Sequence, residues 1–145
     1  MDKEVAMEAK EYLYQAYRLD QRIHAKMEQA ASLRDLAERV ASVTAGAPMG
    51  RGSSGSAMAD AADRIVGLQA EISGDIDRLI RLKREIAEAI RRVAKPEHQT
   101  LLELRYLCFK TWEQIAQEMK YSRRSVYRMH DAAAREIQVP KGWRG

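Results

Sequence analysis

Apolar or small side chains at Val5, Ala9, Tyr12, Ala16, Leu19, Ile23, Met27, Ala30, Leu33, Leu36, Val40 and Val43 follow one another at steps of three and four residues. That spacing keeps them on one face of a helix and predicts a single long helix over residues 3–43, close enough to a heptad to expect a helical partner. The pattern stops at TAGAPMGRGSSGSA, residues 44–57. Glycine loses much backbone entropy in a helix and proline lacks the amide donor, so a flexible loop is predicted there. GRGSSG has neither the Lys-Ser/Thr ending nor the preceding strand of a phosphate-cradling loop, so it reads as a linker. Periodicity resumes from about Ala59 to Ala94, with Ala62, Ile65, Leu68, Ile72, Ile76, Leu79, Ile86, Ile90 and Val93 as a second stripe. Gly67 and Gly74 weaken its first half by up to about 1 kcal/mol each. Two helices of similar length joined by a loop are expected to pair antiparallel. Such a hairpin has a thin core, so it is expected to form a homo-oligomer or to pack on the C-terminal helices.

Pro96 ends or kinks that helix, because the residue before a proline avoids helical backbone. Three short helices are predicted next. Residues 97–107 place Leu101, Leu104 and Leu107 or Cys108 inward. Thr111 starts the second, with Gln114 three residues on as a capping box and Trp112, Ile115, Ala116 and Met119 apolar. Ser122 caps the third, which runs to residue 137 with Val126, Met129, Ala133 and Ile137 on one face, and Pro140 closes it. An eight-residue helix, a tight turn at Lys120-Tyr121 and a Ser-capped helix have the form of a helix-turn-helix. Ile115, Tyr121 and Val126 would wedge between its helices, leaving Arg123, Arg124, Ser125, Tyr127 and Arg128 outward. Two arginines at a helix N-terminus oppose the helix dipole, which makes sense if phosphate or guanine neutralises them. Arg128 and Lys120 then suit phosphate, Tyr127 suits stacking, a thymine methyl or packing within its own protomer, and Ser122 with the helix amides can face phosphate.

The charge distribution agrees. Residues 1–43 carry seven basic and eight acidic side chains, residues 44–94 eight and seven, and residues 95–145 ten and six, so the net +4 comes from the last third. A local surplus of Lys and Arg points to a polyanion there. Catalysis and cofactors find no support. His24, His98 and His130 lie on separate predicted helices without ligand spacing, so no metal site is expected, and no nucleotide fingerprint or Ser-His-Asp order appears. Cys108, the one cysteine, reads as a small buried hydrophobe. With no disulfide, no signal-like N-terminus and no apolar run of about 20 residues, a cytoplasmic chain without membrane contact is expected.

The stretch LLELRYLCFKTWEQIAQEMKYSRRSVYRMHDAAAREI resembles the C-terminal DNA-binding region, region 4, of bacterial sigma factors. The matching residues are Leu104-Arg105-Tyr106, Trp112, Glu113 to Ala116, Ser122-Arg123, Val126, and Ala133 with Ile137. Sigma factors lack the long N-terminal hairpin, and Lys120 stands where the turn often carries glycine. The whole arrangement is more similar to phage and prophage proteins of the ArpU/RinA type, in which a helical N-terminal part precedes a sigma-like helix-turn-helix. That resemblance implies a regulator of late-gene transcription in a bacterial host cell, with RNA polymerase as a further partner.

The expectation is therefore an all-α chain. An antiparallel hairpin fills residues 1–94, a helix-turn-helix domain that binds double-stranded DNA fills 95–139, and a tail covers 140–145. The competing readings are a DNA-recognition subunit like the small terminase of a phage packaging motor, and a helical adaptor that binds protein alone.

Overall fold

The computed structural model describes residues 2–44 and 52–144, and every element among them is an α-helix. α1 covers Asp2–Thr44, α2 Gly52–Arg91, α3 Pro96–Tyr106, α4 Trp112–Met119 and α5 Arg123–Arg135. Among the described residues no helix is long and apolar enough to cross a membrane.

The second helix starts earlier than its periodicity predicts. Thr44 still belongs to α1 and residues 52–57 already belong to α2, which corrects the expected loop at both ends; residues 45–51 lie outside the described residues. A helical glycine costs about 1 kcal/mol relative to alanine, and a cooperative helix of 40 residues absorbs that at Gly52 and Gly55. α2 also runs unbroken through Gly67 and Gly74, where no neighbouring atom would meet an added Cβ.

The chain divides into two compact units, and the divisions fall inside the long helices instead of at the expected 94/95 boundary. One unit is Met1–Leu19 with Leu79–Gly145; the other is Asp20–Arg78. In the first, Ala6, Ala9, Tyr12, Leu13 and Ala16 of α1 and Ile86, Ala89 and Ile90 of α2 share one core with the three short helices. The short helices contribute Leu101, Leu102, Tyr106, Ile115, Val126, Ala133 and Ala134. Alanines on several elements let the backbones approach closely, so a small unit still packs densely.

Local chemistry sets the short elements. Lys95 is extended and Pro96 takes the first helical position of α3, where its missing amide is no loss. Thr111 and Gln114 form a reciprocal capping box at α4. Ser122 caps α5 by accepting from the Ser125 amide at 3.1 Å. Helix α5 is thus shorter than the predicted 122–137, and Ile137 is buried from the turn that follows, with its amide on the Ala134 carbonyl at 3.2 Å.

One inward assignment is corrected, that of Cys108. His98, Leu101, Leu102 and Tyr106 are the buried side chains of α3, Leu104 and Leu107 are half-buried against the same core, and Cys108 is exposed. The helix ends at Tyr106, and the amides of Leu107 and Cys108 both fold back onto the Glu103 carbonyl. Cys108 therefore leaves the helical face that the spacing assigned to it. Trp143 in the tail lies edge-on to Tyr12, with ring centres 5.5 Å apart.

In the unit Asp20–Arg78 the two long helices run in opposite directions. Lys26 meets Asp75 at 2.6 Å and Glu71 at 3.3 Å, while Leu33, Leu36 and Val40 share a groove with Ala57, Met58 and Ala61. The positions turned away from solvent include Ile23, Lys26, Ala30, Leu33, Ala37 and Val40 on α1. On α2 they include Ala61, Ile65, Leu68, Ile72 and Asp75. Both series step by three and four, the seam of a two-stranded coiled coil. Lys26 and Asp75 put an ion pair into that seam, and Lys26 holds the Asp75 carboxyl below its usual range by hydrogen bond and charge.

Candidate nucleic-acid interface

Helix α5 has one apolar face. Val126, His130, Ala133 and Ala134 point into the core, and α5 packs against both α3 and α4. At about 100° per residue, burying Val126 turns Arg124 and Arg128 directly away from the core. Arg123 and Tyr127 fall on one flank and Ser125 on the other. Lys120, Ser122, Arg123, Arg124, Ser125, Tyr127 and Arg128 are all exposed. Among the described residues no ion pair engages Arg123, Arg124 or Arg128. The first turn of α5 carries no acidic residue, so the guanidinium charges add to the positive end of the helix dipole.

The turn between α4 and α5 is built on Lys120, which adopts the left-handed conformation with φ 61° and ψ 41° and sends its amide to the Ala116 carbonyl. Lysine tolerates this region less well than glycine, at a cost of about 1 kcal/mol. Tyr121 does not fill the wedge assigned to it. It is 38% exposed, and its hydroxyl donates to the Glu97 carboxylate, which raises the Tyr121 pKa. A phenol that finds a carboxylate at the surface has no reason to enter the core; Ile115 and Val126 close the angle without it. Ser125 is partly engaged as well, because Ser122 Oγ lies 3.0 Å from its hydroxyl.

Beneath the first turns of α5 lies an aromatic layer that sequence reasoning missed. Trp112 meets Tyr127 edge-on at 5.4 Å and His130 at 4.5 Å. The Arg105 guanidinium sits 4.4 Å above the Trp112 ring and donates to the Lys110 carbonyl at 3.0 Å. Tyr106 and His130 stack and share a 2.6 Å hydrogen bond between the hydroxyl and Nε2. Burial, helped by the Lys10 charge, pulls the His130 pKa down to about 3, so the ring stays neutral. Burial likewise raises the Tyr106 pKa. The signal for His130 was present in the sequence, four residues after Val126 and three before Ala133 on the apolar face of α5. Arg105 gave no such signal, because its partner ring is seven residues away across a turn.

Further along α5 the surface is occupied by the protein itself. Asp131 pairs with Lys10 of α1, which holds its carboxyl below the usual range. His98 Nδ1 lies 2.7 Å from the Glu136 carboxylate. In its leading half, Arg123, Arg124 and Arg128 are exposed and make no ion pair among the described residues. Among the described residues no group of three His, Cys, Asp or Glu side chains could hold a metal ion.

Residues 14–139 match the model of a family described as protein of unknown function (DUF722), and the chain belongs to that family. No curated protein and no solved structure matches the chain.

Proposed function

We propose that this member of the DUF722 family is a sequence-specific regulator of transcription that binds double-stranded DNA, encoded by a phage or prophage and controlling late genes. Residues 95–139 act as a helix-turn-helix like sigma region 4, and α5 enters the major groove by its leading half. Arg124 and Arg128, facing away from Val126, reach base edges or phosphates. Arg123 and Lys120 reach the backbone, and Ser122 with the first α5 amides faces phosphate. Tyr127, steadied by Trp112, offers a ring to a thymine methyl or to the sugar. The protein works in the host cytoplasm by binding and not by catalysis, and it assembles through its long helices. RNA polymerase is its further partner.

One observation carries this reading: arginines on the exposed first turns of a capped helix, with no carboxylate partner among the described residues. A merely solvated helix start would favour acidic residues there. The test is Arg123→Ala combined with Arg124→Ala. Each lost guanine or phosphate contact is worth about 1–3 kcal/mol, so specific binding should fall by about 30-fold or more. Helical content and melting should stay unchanged, because both side chains are exposed. Equal binding by the double variant in a salt-matched mobility-shift assay rejects the reading.

A further inference from the structure

Tyr127 is the aromatic side chain in the leading half of α5, among arginines and serine. It is 44% exposed, and among the described residues no hydrogen bond engages its hydroxyl. An exposed tyrosine ordinarily hops between side-chain rotamers, and its ring then sweeps a wide arc of surface. Neighbours close that arc here. Trp112 of α4 meets the Tyr127 ring edge-on at 5.4 Å and reaches His130, nearly one turn further along α5, at 4.5 Å. His130 is buried and shares a hydrogen bond with the Tyr106 hydroxyl, so the indole leans on a fixed ring.

The indole is held from α3 as well. The Arg105 guanidinium lies 4.4 Å over the Trp112 ring and donates to the Lys110 carbonyl at 3.0 Å. Arg105 makes no ion pair among the described residues, so no carboxylate draws its plane away from the ring. The guanidinium, the indole and the phenol thus form one connected stack that ends at the exposed edge of α5.

The held position decides what the ring can meet. With Val126 buried, Arg124 and Arg128 point straight out, and Tyr127 lies on the flank toward α4. In a major groove the outward side of a helix faces the middle of the base-pair edges, while a flank faces the part nearest the groove wall. A ring gains from apolar contact, and among the groups displayed on those edges the thymine 5-methyl is the apolar one. It stands on the wall side of its base pair. We infer that Tyr127 reads the 5-methyl group of one thymine in the bound site, and that Arg105 and Trp112 are positioning residues that hold the ring for it. This contact rests on the DNA-binding reading above.

The experiment uses the full chain and a duplex that it selects from a random pool, with each thymine of the selected site replaced in turn by uracil, which removes the methyl group alone. Competition binding at fixed salt should show one position at which uracil weakens binding by about fourfold, the transfer value of one methyl group. Tyr127→Ala should bind thymine and uracil alike at that position. Tyr127→Phe should keep the preference, since the ring and not the hydroxyl makes the contact. Arg105→Lys keeps the charge but loses the flat guanidinium that lies on the indole, so it should lower the preference toward one with helical content retained. Loss of a phosphate contact would weaken both duplexes equally and leave that ratio alone. A preference that survives Tyr127→Ala, that vanishes in Tyr127→Phe, or that Arg105→Lys leaves whole would overturn the inference. An unaltered chain that binds its duplex but ignores uracil defeats this inference alone, and one that retains no duplex from the pool defeats the DNA reading together with it.

Discussion

The two compact units are made partly from the same two long helices, yet they differ in kind. The unit of Met1–Leu19 and Leu79–Gly145 holds 18 Lys and Arg against 12 Asp and Glu, while Asp20–Arg78 holds 7 against 9. The whole positive excess therefore belongs to the unit with the short helices. The connected hydrophobic core lies there too, from Ala6 to Ile137, whereas Asp20–Arg78 buries Ile23, Ala30 and Leu68 and places Lys26 with Asp75 in its seam. The difference teaches that an apolar stripe of constant period does not fix how much surface is buried. A stripe covered by three further helices becomes a core; the same stripe facing one partner helix stays half wet.

The sharpest way to break this comparison is to cut a cavity in each unit. Leu101→Ala removes a fully buried side chain from the larger core and should cost about 2–5 kcal/mol in denaturant unfolding. Leu68→Ala is also fully buried, but its half-exposed neighbours can close over the gap, so its cost should fall at or below the low end of that range. Equal losses would mean that the two units are equally well packed.

Acid should separate the units next. His130 is neutral when folded, with a pKa of about 3 against the ordinary 6.5, so below pH 6.5 the unfolded chain binds the extra proton. Stability of the larger unit should therefore decline as pH falls from about 6.5 toward 3, and His130→Phe should flatten that decline. Asp75 also has a lowered pKa, so its contribution is present above the ordinary carboxylate value and is lost only as pH falls below it. Asp20–Arg78 should accordingly hold through pH 5. Site-resolved hydrogen exchange across that pH range reads both units at once, and loss in the reverse order would contradict these assignments.

Ser122→Ala is the smallest probe. Losing the cap should cost about 1 kcal/mol, seen in the melting of the larger unit, and should fray the first turn of α5. Amide exchange at Ser125 should rise first, since that amide is the one Ser122 holds. An unchanged Ser125 rate would show that the cap does not order this turn.

Much of the local structure was legible beforehand because its causes are local. The capping box at Thr111 and Gln114, the Ser122 cap and the entry of α3 at Pro96 follow from bonds made within one turn. The same holds for the outward side chains of α5: once Val126 is buried, helical geometry turns Arg124 and Arg128 away. What failed depended on neighbours distant in sequence. Tyr121 looks like a wedge until Glu97 of α3 is placed beside its hydroxyl. Cys108 looks buried until α3 ends at Tyr106, and Gly52 looks like a loop until a forty-residue helix absorbs it.

The sequence by itself determined that this is a helical chain with a basic C-terminal third, since hydrophobic period, capping residues and charge act through their own turn of helix. Only the tertiary structure decided where the long helices change from core to half-exposed pair, and which rings and charges gather beneath α5. Burial is a property of every surface that meets at a point, and Arg105, Trp112 and His130 come from three different helices. No single helical period contains that information.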